Sequence, residues 1–444
     1  MNIVIIGYGV ASHWACKTIR KYSPDSNIII ITNEQTPTYY KVYLADYLAG
    51  KISLPQMYPP DMQTPDNHLQ IHMGKQVMKI DTAGKSVLLQ TGESIAYDKL
   101  LIATGAETKL NTDLKKISGI FTLNSIKDTN TLMSFNGKVK KSVIVGDNIH
   151  LFEIIRALRS LDSKITVILK NKRLFQDYLN EKGTGFINNL LDDVEFILNT
   201  EIINFIPHHN QLKAIELSNG KIIDADLAII NGPLEPNLDF LGLDSKICVD
   251  YHMRTEYPDI YAAGDVCICM DEYPEFSIGW RRAWLQGITA ATNILGHEKT
   301  YCAVQSIRGK TKAYPFIIMG NPVSALKNCD VIEYIDTDKK IFKQIYHKNN
   351  LMLSAVFIGS IENISLIEEM VQNQEIIDQS IHSYIKQSVH AGNNHFIELV
   401  CPVCKSNLDI STDSKTESKL NCPICAVELQ YSYINDIPEI SLCF

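Results

Sequence analysis

The chain has 444 residues, 45% of them apolar and 21% charged, enough to bury full cores in roughly three domains. Its formal charge of −8 argues against a protein built to grip nucleic acid or anionic lipid. No apolar run reaches the roughly 18 residues needed to cross a bilayer. The first nine residues lack a basic stretch and break at glycines, so neither a signal peptide nor a membrane span is expected, and a cytoplasmic protein is.

The first forty residues read as strand, tight turn, helix, strand: Asn2 to Ile6, Gly7-Tyr8-Gly9, Ala11 to Tyr22, and Asn27 to Thr32. The strands are continuously apolar, as parallel strands covered on both faces are. Strands return at Ser86 to Gln90 and Lys99 to Ala103. The same grammar restarts about 140 residues on, with a strand from Ser142, a helix from Ile149 to Ser160 and a strand from Ile165 to Leu169. Such a repeat predicts two Rossmann-like βαβ nucleotide-binding units in an α/β chain. Pro258 to Ile294 carries the string Asp259-Ile260-Tyr261-Ala262-Ala263-Gly264-Asp265 and a helix. Residues 306–387 alternate strand signals before a helical end, and 388–395 are polar and rich in Gly and Asn, a linker pattern. The remainder is a small module of its own.

Gly7-Tyr8-Gly9-Val10-Ala11-Ser12 places G-x-G-x-x-S between strand and helix. The first glycine allows the turn, the second lets backbone approach a pyrophosphate, and the helix start offers unpaired N–H groups to it. Ser12 is small enough for close helix–strand packing. Glu34 stands at the end of the second strand, where a carboxylate accepts ribose hydroxyls.

Several segments then resemble the FAD-dependent pyridine-nucleotide–disulfide oxidoreductase superfamily, in particular its rubredoxin reductase, ferredoxin reductase and nitrite reductase flavin-module branch. Asn33-Glu34-Gln35-Thr36-Pro37-Thr38-Tyr39-Tyr40-Lys41 through Leu48-Ala49-Gly50 is similar to the stretch that lies along FAD there, with Lys41 in place of the usual arginine. Ala103-Thr104-Gly105 matches the turn that leaves the flavin domain. Thr255 to Asp265 resembles the second FAD fingerprint, with Asp265 toward the ribityl or pyrophosphate region. Trp280, Ala283, Gln286 and Gly287 match a helix that packs beneath the isoalloxazine. The resemblance spans roughly residues 1–380 and carries cofactor contacts to Gly7, Gly9, Ala11, Ser12, Asn33, Glu34, Lys41, Val77, Ala103, Thr104, Gly105, Asp265 and Trp280. It implies an FAD domain of residues 1–110 and 236–305, an inserted NAD(P)-binding-like domain of 111–235, and an α+β interface domain of 306–387 that can dimerise or dock. No side chain is implied as catalytic acid or base.

The second glycine motif is degenerate. Gly146, Asn148 and Leu151 occupy its three positions, and Asp147 adds charge beside a would-be pyrophosphate, a repulsion of roughly 1–4 kcal/mol at 4–5 Å. Leu169 replaces the expected ribose carboxylate, while Lys170 and Lys172 could hold a 2′-phosphate. NAD(P)H binding is therefore expected to be impaired. Glu153 matches a family acid near the flavin. No cysteine lies between Cys16 and Cys248, which excludes the family's usual redox dithiol. Cys16 reads as core, Cys267 and Cys269 as buried structural thiols, and His208-His209 as a solvated turn.

Eleven cysteines are an odd number for a disulfide framework and suit a reducing compartment. Four of them form a pattern. Cys401-Pro402-Val403-Cys404 and Cys422-Pro423-Ile424-Cys425 are two C-x-x-C knuckles separated by 17 residues, the spacing of a tetrahedral metal site. Zinc would make a redox-silent staple, which a module of residues 397–444 needs after its 388–396 linker. Iron would make a one-electron relay. Lys405 and Ala426 follow the knuckles where rubredoxins carry glycine, and Tyr433-Ile434-Asn435-Asp436-Ile437-Pro438 resembles the last strand of small zinc-ribbon proteins of the tRNA-methyltransferase-activator type. Zinc is favoured over iron.

The whole predicts an FAD-dependent oxidoreductase passing electrons between its flavin and a redox protein, an iron–sulfur or rubredoxin-like carrier or a subunit of a larger complex. An NAD(P)H-dependent ferredoxin or rubredoxin reductase and a structural or assembly flavoprotein subunit are the alternatives.

Overall fold

A computed structural model describes residues 1–59, 67–274, 277–311, 314–360, 364–386, 396–400, 407–411, 418–421, 428–434 and 437–442. The chain divides into two compact units, one of Met1–Asn171 with Val194–Ala303 and one of Lys172–Asp193 with Val304–Phe444.

In the first unit the apolar run Asn2–Ile6 forms the central strand of a five-stranded parallel sheet. Its neighbours are Lys99–Ile102 and Asn27–Ile31, with Ile260–Ala262 and Leu69–His72 at the edges. Ile3, Val4, Ile5, Ile28 and Ile30 are wholly buried, as continuous β-branched runs require when both faces are covered. Helix α1 (Val10–Tyr22) follows the first strand through Gly7 and Gly9. A second five-stranded parallel sheet repeats the plan, in the order Val194–Ile197, Lys164–Ile168, Lys141–Val145, Leu227–Ile230 and Ile120–Phe121.

In sequence, short helix α2 (Leu44–Leu48) falls between two strands of the first sheet and α3 (Ile126–Met133) between two strands of the second, and α4 (Leu151–Arg159) follows the central strand of the second sheet. Each half also carries a three-stranded antiparallel meander, Val77–Asp81 with Ser86–Leu89 and Ser94–Ala96, and Ile202–His208 with Gln211–Leu217 and Ile222–Asp224. The Ser86 strand therefore belongs to a meander rather than to the parallel sheet, because its side chains alternate, Val87 and Leu89 buried and Leu88 exposed.

The second unit contains α5 (Glu181–Leu190) and an antiparallel sheet in the order Ser306–Thr311, Tyr314–Gly320, Leu351–Ile358, Ile341–Lys348, Asp330–Asp336. Phe342 on this sheet meets Phe186 of α5 at 5.4 Å between ring centroids. Ile364, Ile367, Ile381 and Ile385, from α7 (Ile364–Asn373) and α8 (Gln379–Lys386), share a core with Ile317, Ile345 and Phe357 of the sheet. Farther on, Phe396–Val400 pairs with Asn407–Ser411, and Ser418–Asn421, Glu428–Ile434 and Ile437–Leu442 form a second antiparallel group. Cys401, Cys404, Cys422 and Cys425, and the expected linker up to residue 395, lie outside the described residues.

The long helix α6 (Trp280–Ile294) returns across α1. Their crossing is backbone-close: a Cβ on Gly287 would stand 2.3 Å from the Ala11 carbonyl oxygen. Adding that methyl forces the helices apart, so Gly287→Ala is expected to lower stability by about 1–3 kcal/mol. Urea unfolding followed by circular dichroism measures this loss as a shift of the midpoint at unchanged slope.

Candidate functional site

The carboxyl ends of the first sheet's strands converge on one crevice, the place where open α/β sheets bind ligands. Gly7 leaves its strand at φ +97° with its N–H on the Ile31 carbonyl at 2.8 Å, and a Cβ there would lie 2.3 Å from the Ala103 oxygen. That contact brings Gly7 against the Ala103–Gly105 turn and explains why no larger residue stands at position 7. Gly9 is the N-cap of α1 and borders open space. Ser12 is buried and its hydroxyl donates to the Gly7 carbonyl at 2.8 Å, so it locks the loop onto the helix. Ala11 supplies the helix-crossing contact already described.

Glu34 follows the second strand, and its Oε1 lies 3.1 Å from Lys41 Nζ. Lys41 also stands 6.0 Å from the Tyr39 ring centroid. Burial pushes the Tyr39 hydroxyl up to about 12, so the phenol stays protonated. Asn33 is exposed beside Glu34. Backbone bonds from Gly74 to Glu34 and from Lys75 to Thr32 hold the next segment alongside, which places buried Val77 at the edge of the same region. Gly105 is left-handed at φ +71°, and its carbonyl and that of Thr104 are bonded by Asn237.

Asp265 follows the strand Ile260–Ala262 and accepts the Gly279 N–H at 2.9 Å, which anchors the start of α6. Trp280 is the first residue of that helix. The predicted cofactor residues thus lie at these strand ends or on segments bonded to them, with Asn33 exposed at the end of the second strand. Thr104 Oγ1, Trp280 Nε1 and Gln286 Nε2 are buried without a hydrogen-bond partner among the described residues. A buried polar atom without a partner calls for an explanation, and a bound ligand supplies one. The open space at Gly9, the helix start behind it and these atoms fit a dinucleotide such as FAD.

Two features were not read from the sequence. All three tryptophans of the chain share one row, with Trp14 5.2 Å from Trp284 and Trp284 5.7 Å from Trp280, continued by Tyr40 at 6.2 Å. The i, i+4 spacing of Trp280 and Trp284 signals a shared helix face; the approach of Trp14 has no local signal. The second feature is a buried ion pair. Arg282 on α6 bonds Glu272, Nε to Oε1 at 2.9 Å, with both side chains under a tenth exposed. The same guanidinium donates to the carbonyls of Gly264 and Cys267 at 2.9 and 3.0 Å. Burial works against its charge, but Glu272 outweighs it and the guanidinium is held above its ordinary range.

Cys267 and Cys269 are buried as expected. Burial pushes the Cys267 thiol up to about 11 and the Cys269 thiol to about 12. Cys16 is half-buried and packs against the edge of the core rather than inside it. His208 and His209 are exposed as expected, but His208 ends the strand Ile202–His208, paired with Gln211, and only His209, at φ +50°, lies in the turn of the second meander. Among the described residues no helix is long and apolar enough to cross a membrane, and no His, Cys, Asp and Glu cluster forms a metal site.

The profile of the pyridine nucleotide-disulphide oxidoreductase family matches residues 1–293. The chain belongs to that family. It is an FAD-dependent oxidoreductase. It is 25% identical over 396 residues to the nitrite reductase [NAD(P)H] of Bacillus subtilis (strain 168), covering 85% of this chain and 48% of that protein. It is 26% identical over 278 residues to a rubredoxin-NAD(+) reductase of Pseudomonas putida, covering 60% of this chain and 72% of that one. The chain therefore spans about half the length of the nitrite reductase. Its fold matches the reductase in a covalent putidaredoxin reductase–putidaredoxin complex with a TM-score of 0.77 at 19% identity, over 86% of this chain and 95% of the other.

Two tests follow from the oxidoreductase's buried network. Arg282→Met leaves the Glu272 carboxylate buried without its partner, and a loss of about 3–5 kcal/mol is expected in chemical denaturation. Alkylation of the native protein at pH 8 followed by mass spectrometry is expected to label exposed Cys248 and Cys302 while sparing Cys267 and Cys269, whose thiolates are suppressed.

Proposed function

We propose that the protein passes electrons between FAD, held at the first crevice, and a redox protein partner such as an iron–sulfur or rubredoxin-like carrier, with NAD(P)H binding impaired. Gly7, Gly9, Ala11 and Ser12 would receive the pyrophosphate and Glu34 the adenosine ribose. Asp265, Thr104 and Trp280 would face the ribityl and flavin portions, and Lys41 would add positive charge along the cofactor. Bound FAD supplies the switch between two-electron and one-electron transfer. The chain orients it, excludes water with the tryptophan row, and fixes the surrounding charges through Asp265 and the Arg282–Glu272 pair. No side chain is required as acid or base.

The observation that carries this reading is the contrast between the two crevices. Gly9 borders open space, whereas its counterpart Asn148 fills the equivalent position with a side chain bonded to Gly232 at 2.7 Å. A protein that keeps the flavin crevice and blocks the nicotinamide one needs another electron partner. The names of the relatives, a nitrite reductase [NAD(P)H] and a rubredoxin-NAD(+) reductase, favour a second reading in which nicotinamide still serves as donor or acceptor.

The tail is proposed to hold one zinc through Cys401, Cys404, Cys422 and Cys425. The two stretches containing them, 401–406 and 422–427, each join a pair of antiparallel strands, the position of a metal knuckle in a ribbon.

Purified protein is expected to be yellow with stoichiometric FAD and to contain zinc rather than iron by elemental analysis. In anaerobic stopped-flow mixing, reduced ferredoxin or rubredoxin is expected to bleach the flavin faster than NADH or NADPH does. Faster bleaching by either nucleotide would establish the second reading, and colourless protein that cannot be reconstituted would end both.

A further inference from the structure

In the second crevice the chain's own side chains bond across the glycine-motif turn. Gly146 leaves the strand Lys141–Val145 at φ +99°, and a Cβ there would sit 2.4 Å from the Asn231 carbonyl oxygen. The first glycine of the motif is thus kept for the same steric reason as Gly7. Two residues on, Asn148 spans the opening. Its Nδ2 donates to the Gly232 carbonyl at 2.7 Å, and its Oδ1 accepts the backbone N–H of His150 at 2.9 Å. His150 is the N-cap of α4, so this N–H stands at the helix start where phosphate oxygens of a nucleotide are received. From the facing turn Asn231, almost wholly buried, donates to the Gly146 and Asn148 carbonyls at 3.3 and 3.5 Å and braces the loop.

We propose that Asn148 is an internal plug: its carboxamide takes the place of a dinucleotide pyrophosphate, bonded to the helix start on its own loop and to Gly232 opposite, and removing it alone reopens the site to a pyridine dinucleotide. The inference rests on the reading that nicotinamide binding is impaired and assigns that impairment to one side chain. A ligand must break both amide bonds before it reaches the helix start. Those bonds are intramolecular and ordered on folding, whereas the ligand must still lose its own freedom on binding. Apparent affinity falls with the fraction of molecules whose crevice is open.

The surrounding frame is intact. Leu151, Phe152, Ile154 and Ile155 bury α4 as a nucleotide-binding helix is buried, so Leu151 at the third motif position packs without displacing it. Asn148→Gly restores the room that Gly9 leaves in the first crevice and returns the His150 N–H to a ligand. Asn148→Asp keeps an acceptor for that N–H and adds a negative charge, so it keeps the crevice closed to a pyrophosphate.

The test titrates the full-length, flavin-loaded protein and both variants with NADH and with NADPH by calorimetry, with flavin content and melting temperature as checks on folding. Wild type is expected to bind both nucleotides weakly. N148G is expected to tighten at least one by about tenfold or more, and N148D to gain nothing. Should N148G lose its flavin, N148A carries the same expectation, since it also removes both amide bonds. Tight binding by wild type would overturn the impaired-site reading and the plug with it. Weak binding by wild type together with no gain in a folded N148G or N148A would overturn the plug alone and leave that reading standing. A gain in N148D equal to that in N148G would also overturn it, because the bond to His150 would then be irrelevant.

Discussion

The flavin-side architecture depends on how closely α6 can approach α1. Gly287 lets the Ala11 backbone come to 2.3 Å from the point where a Cβ would stand, and both helices begin at the crevice. The start of α1 carries the glycine loop; the start of α6 carries Trp280 and is tied to Asp265 through Gly279. Moving the helices apart by a methyl group would shift these two sets of proposed cofactor residues relative to each other. The site is therefore defined by a packing distance between helices as much as by the residues that touch a ligand.

Charge secures the same geometry from the other side. The segment Gly264–Glu272 has little regular structure, with only the short strand Cys267–Cys269. Arg282 holds it by reaching from α6 to the Gly264 and Cys267 carbonyls and to the Glu272 carboxylate. The network also engages the Cys269 N–H and the Tyr301 hydroxyl through Glu272. A fully bonded buried pair of this kind contributes little net stability against an apolar substitute, but it specifies one arrangement. Here the arrangement specified is the position of Asp265 relative to α6. The thiols of Cys267 and Cys269 lie within the network as protonated, hydrogen-bonded groups, which suits a structural part.

Much of this was legible in the chain because parallel sheets leave a strong local trace. Runs such as Asn27–Ile31 are apolar throughout, and Gly7-Tyr8-Gly9 sits where the run must turn. Of the proposed site residues, Gly7, Ala103 and Thr104 could be placed because each directly follows such a strand. What could not be read is what depends on distant approach. Trp14 meets Trp284 across two helices separated by most of the chain, and Glu272 meets Arg282 across a loop without periodic pattern. The strand at Ser86 was legible, but its membership of a meander was not, because four residues carry too short an alternation to separate a meander from a parallel edge. The grouping of Lys172–Asp193 with the carboxy-terminal unit likewise has no mark in composition.

The two parallel sheets share one frame but differ at the turn that follows the central strand. Both centre on a strand ending in a left-handed glycine, at φ +97° and +99°, and both send a helix from that turn. The glycine is retained in each because the facing carbonyl, of Ala103 or of Asn231, would collide with any side chain. That constraint belongs to folding and holds whether or not a ligand binds. The next glycine answers to the ligand alone, because no part of the fold touches it: at Gly9 nothing lies within 4 Å of the missing Cβ. Once selection for the ligand weakens, that position is open to any residue whose side chain finds partners. At the corresponding position of the second turn, Asn148 bonds the Gly232 carbonyl opposite and the His150 N–H on its own loop, so its side chain satisfies a donor at a helix start. Divergence between the crevices thus follows the line between residues that the backbone needs and residues that only the ligand needs.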